Sequence, residues 1–146
     1  MLNFTRRGIL VVIPILLIAL VNSSCGSIRF DRSRTVEAER KIKEDPEFRE
    51  VNELCETIPI PPHSEFVGKA RMFNSIGLTN FYFTTQNFDT VEDFFQKYLL
   101  ENNWERVETD SLSRIINYRK GAFEVEIQFG GIGRDISYSL YCGKIK

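Results

Sequence analysis

Phe123, Val125, Ile127 and Phe129 alternate with Glu124, Glu126 and Gln128, a period of two that predicts a strand over residues 122–129 with one dry face. The segments around it read the same way. Trp104 opens a strand to about residue 109, residues 113–119 form the next, and Lys120-Gly121 turns the chain into the alternating segment. Gly130-Gly131-Ile132-Gly133-Arg134 then turns it into residues 135–142, with Ile136, Tyr138, Leu140 and Cys142 inward. Upstream, residues 65–74 and 78–85 read as a hairpin around Ser75-Ile76-Gly77, its second strand carrying Phe81-Tyr82-Phe83 across both faces.

Between these strand groups the period changes. Val91, Phe94, Phe95, Tyr98 and Leu99 follow i, i+3, i+4, i+7, i+8, which predicts a helix with one face on a sheet. Asp89 and Thr90, with Glu92 and Asp93 three residues beyond them, offer its cap, and Asn102-Asn103 ends it. A shorter amphipathic helix is predicted from Asp45-Pro46, because Asp caps well, Pro suits the first helical position, and Phe48, Val51, Leu54 and Cys55 share one side. Ile58-Pro59-Ile60-Pro61-Pro62 stops it and forms a stiff connector. The sum is an α+β fold: an antiparallel sheet of about six strands in the order β-β-α-β-β-β-β, with one main helix across one face.

Residues 27–44 carry ten charged side chains of both signs and few large apolar ones, which predicts a tether holding the domain away from a surface. Before them, Arg6-Arg7 precede an apolar core running from Ile9 to Val21, then Asn22-Ser23-Ser24-Cys25-Gly26. The core is shorter than the about 20 apolar residues of a helical span and contains Pro14, as expected of an export signal. Ser23-Ser24-Cys25 resembles a bacterial lipoprotein signal, and the resemblance covers residues 1–26 only. It implies that Cys25 receives lipid and becomes the mature N-terminus. Cleavage after Gly26 without lipid and an uncleaved anchor stay open beside it, and all three place the remaining chain outside the cytoplasm. Thr5-Arg6-Arg7-Gly8-Ile9-Leu10 is also similar to a twin-arginine export motif, but paired basic residues are ordinary in any signal, and nothing downstream implies a cofactor.

The chain therefore divides into a signal or anchor (1–26), a charged tether (27–44), a short helix with a Pro-rich connector (45–62) and a globular domain (63–146). With 42% hydrophobic and 27% charged residues it has the composition of an ordinary globular protein. The formal net charge is −1, and Arg6 and Arg7 are the only charges before Cys25. Loss of the signal makes the remainder more acidic, which argues against nucleic acid as a partner. Export also sorts the three cysteines: with Cys25 at the signal junction, Cys55 and Cys142 are the pair expected to join in an oxidising compartment.

No constellation of residues specifies a reaction, a metal or a cofactor. His63, the single histidine, lies in the connector without the companions that nucleophilic catalysis or a metal site requires. Glu92/Asp93 and Glu124/Glu126 are carboxylate pairs on surfaces read as solvated. The glycine run at residues 130–133 sits between strands, where a hairpin turn is expected and a phosphate loop is not. Aromatic residues make up 12% of the chain, and Tyr82, Tyr118 and Tyr141 are expected to point away from the core as contact residues. The functional expectation is a membrane-tethered envelope protein that binds another envelope protein or a cell-wall or lipid-derived ligand without catalysis. A small carboxylate-dependent hydrolase, with two acids in a groove between helix and sheet, and a purely structural spacer are the alternatives.

Overall fold

The structure, a computed structural model, describes residues 30–107, 114–130 and 137–145. Within them the chain runs α1 (Arg32–Glu44), α2 (Pro46–Thr57), β1 (Ser64–Arg71), β2 (Gly77–Thr84), α3 (Phe88–Glu101), β3 (Glu105–Val107), β4 (Ile115–Lys120), β5 (Phe123–Phe129) and β6 (Tyr138–Lys144). The signal segment, Cys25 and most of the glycine turn after Gly130 lie outside the described residues.

The expected tether is, from Arg32 onward, a helix folded onto the domain. Asp31 starts it by accepting from the Ser33 amide at 2.9 Å. Asp45 then ends α1 by donating its amide to the Lys41 carbonyl, and starts α2 by accepting from the Glu47 amide at 3.0 Å. Pro46 enforces the break, since it denies Asp45 a helical backbone. Ala38 is the one fully buried residue of α1, so the segment lacks the broad apolar face by which docked helices are usually recognised. Ile42 packs against the same core, and polar groups add to these two apolar contacts. Thr35 Oγ1 accepts from the Lys69 amide at 3.0 Å, and Glu37 pairs with Arg71 at 2.7 Å, both on β1. Just before the helix, the Phe30 ring lies against Gly68 and 4.9 Å from the Phe81 ring.

The six strands form one antiparallel sheet in the spatial order β1-β2-β6-β5-β4-β3, and the chain order of strands and main helix is the expected one. The start of α3 differs from expectation. Asn87, and not Asp89 or Thr90, is its cap, with Oδ1 accepting from the Thr90 amide at 2.9 Å and the Thr90 hydroxyl at 2.8 Å. This earlier start places Phe88 in the first turn, where its ring meets Phe129 edge-on at 4.4 Å.

One sheet face carries the core. Val91, Phe95 and Leu99 of α3, with Phe48, Val51 and Cys55 of α2, pack onto Leu78 and Tyr82 of β2, Tyr138 and Leu140 of β6 and the dry side of β5. Each such buried side chain contributes about 1.5–3 kcal/mol relative to exposure. Cys55 and Cys142 come to disulfide distance, their Cα atoms 5.9 Å apart and 87 positions apart in sequence. That bond ties α2 to the strand lying between β2 and β5.

Closing a loop of this length removes enough freedom from the unfolded chain to stabilise the fold by about 4 kcal/mol. Cys55→Ala combined with Cys142→Ala is therefore expected to lower the unfolding free energy by about that amount. Urea titration of the two proteins reads the difference, and an unchanged midpoint would show that the tie contributes nothing.

Candidate functional site

Helices α2 and α3 lie on the same side of the sheet. Cys142 meets Cys55 of α2, and Tyr138 meets Phe95 of α3 at 5.8 Å; these two residues of β6 are four apart and so share a face. Among the described residues no helix crosses the other face. There the register aligns Asn117, Glu126, Tyr141 and Thr79 in one row across β4, β5, β6 and β2, with Glu124 and Gly143 in the row beside it.

Tyr141 organises this open face. Its ring lies over the backbone of Gly77 and Gly143, where an added Cβ would overlap ring atoms. A strand glycine has no side chain to pack, and a neighbouring aromatic supplies the missing cover. The Tyr141 hydroxyl stands 3.3 Å from Ser75 Oγ and donates to Glu124 Oε1 at 3.5 Å. Glu126, beside Tyr141 and Asn117, is half-buried, and desolvation first, then the nearby Glu124 charge, pushes its carboxyl above the ordinary range. The wet side expected of β5 is thus partly sheltered.

The other two expected contact tyrosines are in the core. Tyr82 stacks on Tyr138 with ring centroids 5.1 Å apart, and Tyr118 is fully buried; desolvation raises both phenols above their ordinary range. The error is one of strand phase. In β2 the outward positions belong to Phe81 and Phe83, which leaves Tyr82 inward. In β4 Tyr118 sits opposite Val125, on the dry side of β5 that the alternation had already defined. That pairing was the signal available in the sequence.

Two clefts lie at the ends of the helix layer. The larger, about 480 Å³, is bounded by Leu54, Tyr98, Trp104 and Phe123, with Lys120 at its rim. Its walls are held by Tyr98 donating to the Thr57 carbonyl at 2.7 Å and Lys120 donating to the Asn102 carbonyl at 2.8 Å. The smaller, about 180 Å³, lies beside Asn87, Phe88, Arg114 and Tyr138. Neither is lined by a carboxylate, and a third, about 390 Å³ beside Asn103 and Arg119, has Glu105 alone, so none of the three has the paired acids that a glycosidase-type hydrolase requires. Glu92 is paired with Arg106 at 3.1 Å. His63 turns the chain into β1 with φ 59°, its carbonyl accepting from the Thr84 hydroxyl at 3.2 Å. Among the described residues no three His, Cys, Asp or Glu side chains gather as metal ligands.

Two outcomes check the open face. Because the folded Glu126 carboxyl holds its proton to higher pH than the unfolded one, stability falls as pH rises from the ordinary carboxylate range through the folded pKa. Glu126→Gln removes that loss. Its melting temperature relative to the parent is therefore expected to rise between about pH 3 and about pH 7; a flat difference would mean that the carboxyl is solvated. Gly143→Ala displaces the Tyr141 ring and is expected to cost about 1 kcal/mol, most of which disappears in a Tyr141→Ala background. A double-mutant cycle in denaturant measures that coupling.

No protein-family model, curated protein or solved structure matches the chain.

Proposed function

We propose that this chain is an exported cell-envelope protein, held at the membrane by lipid on Cys25 or by its N-terminal segment, whose domain is a non-catalytic binding module for an envelope protein or a cell-wall or lipid-derived ligand. The Cys55–Cys142 pair carries the reading. Disulfides persist in oxidising compartments and are rare in the cytosol, and an N-terminal segment with basic flank, apolar core and small-residue junction is the route to such a compartment.

The binding half rests on the open sheet face. Tyr141, Glu124, Glu126 and Asn117 present a phenol, two carboxylates and an amide on one surface, which no helix crosses among the described residues. A half-buried carboxylate beside a second one costs stability unless something uses it, which favours a recognition surface over a bare spacer. The acidic balance of the chain favours partners other than nucleic acid.

The deciding measurement is the non-reducing intact mass of the protein taken from a membrane fraction. The expected mass is that of the chain from Cys25 onward plus lipid, less two hydrogens for Cys55–Cys142. A full-length mass would replace lipidation by a retained anchor. Free thiols at both positions, or recovery only from the cytosolic fraction, would overturn export itself.

A further inference from the structure

We infer that the tip of the β1–β2 hairpin, Met72 and Phe73, is a lipid-contact site that seats the domain directly on the bilayer. The inference rests on the membrane attachment proposed above and adds to it the orientation of the domain.

Few residues separate Cys25 from the folded domain. Residues 32–44 form α1 on β1, and Phe30 is already packed against Gly68 and Phe81, so the span between Cys25 and the folded domain is only Gly26 to Arg29. Fully extended, the steps from Cys25 to Phe30 reach about 17 Å, and those from Val21, for a retained anchor, about 30 Å. A domain of this size has a radius of gyration of about 13 Å. Attached through Cys25, it therefore has little room to stand clear of the surface, and the β1 side where Phe30 docks faces the lipid.

The hairpin tip lies on that side. From Gly68 to Arg71 the strand advances about 10 Å, and Met72 and Phe73 follow directly. Met72 is 45% exposed and Phe73 77%, the most exposed large apolar side chain among the described residues. Burial in this domain does not account for a Met-Phe pair at a turn. An interface of headgroups and acyl chains does, because it takes an apolar side chain below and a cation above. The cation is in place: the Arg71 guanidinium lies 4.7 Å over the Phe73 ring, while Glu37 holds it at 2.7 Å. Arg32 and Arg34, exposed in the first turn of α1, add positive charge near the point of attachment, which suits anionic headgroups. The opposite end of the hairpin also exposes an aromatic, Phe66 at 53%, but there it is engaged edge-on with Tyr82 at 5.9 Å and its strand neighbour is the acidic Glu65, which an anionic surface disfavours.

Full-length protein reconstituted into phosphatidylglycerol–phosphatidylethanolamine vesicles with brominated acyl chains tests this. Trp104, the native tryptophan, is 5% exposed and supplies a constant background. A Phe73→Trp variant is expected to lose most of its added fluorescence to the bromines and to shift to the blue, while Phe83→Trp and Leu100→Trp keep theirs. Quenching at Phe83→Trp without quenching at Phe73→Trp would put the other end of β1 on the membrane and overturn the proposal. So would vesicle-bound protein with no quenching at any of the three positions. Failure of every variant to co-sediment with vesicles would instead remove the membrane attachment, and the docking tip with it.

Discussion

The structure depends on its last strand. β6 lies between β2 and β5, so the β1–β2 hairpin and the β3–β4–β5 unit share no backbone ladder until residues 138–144 pair with both. The two helices that cover the core dock on the same strand, α3 through Phe95 at Tyr138 and α2 through the bond to Cys142. Tyr138, Leu140 and Cys142 are accordingly at most 1% exposed. Pairings this distant in sequence must overcome loop-closure entropy before they return any contact energy. The disulfide acts on that term, holding β6 near α2 even when the chain is open.

The outward side of β6 solves a different problem. A sheet face without a helix should be wet, yet Thr79 and Ser139 are buried on it and Glu126 is half-buried. Two rings laid flat on glycines provide the cover: Phe30 on Gly68, and Tyr141 on Gly77 and Gly143. Phe30 belongs to the segment leading into α1, so docking of that helix and shelter of the sheet are one event. The same docking makes residues 32–44 part of the folded domain.

What the sequence disclosed follows from how cleanly each element alternates. β5 places Val125, Ile127 and Phe129 on one side with charged or amide residues between, and α3 repeats its apolar stripe twice, so both faces were legible before any pairing was known. Phe81-Tyr82-Phe83 has no polar phase marker, and Ile115 beside Ile116 obscures the one in β4; only the pairing partners decide which tyrosines face inward. Asn87 and Asp89 are equally competent caps, and the choice falls to the contact of Phe88 with Phe129, which is tertiary. α1 was illegible for a further reason: its apolar contacts are only the small Ala38 and Ile42, and a threonine hydroxyl and a carboxylate add polar ones on the strand edge that apolar periodicity does not register. The open face was hidden likewise, since nothing in the sequence says that Tyr141 folds over two glycines distant from each other in the chain.

Both sheet edges are blunted, and this bears on how a partner is recognised. The β1 edge gives its Lys69 amide to Thr35 under α1. At the β3 edge, three residues long among the described residues, Arg106 is held by Gln96 at 2.7 Å and by Glu92 at 3.1 Å. Edges of this kind resist addition of a further strand, so a partner has side chains to read and little free backbone. On the open face the carboxylates of Glu124 and Glu126 repel each other in partly desolvated surroundings. A ligand that brings a cation or an N–H donor between them relieves that repulsion, whereas one that brings another carboxylate or a phosphate adds to it. Arg119 stands opposite Glu124 on the same face, so the surface presents both signs, and a partner is selected by how its charges pair with these and not by one sign alone.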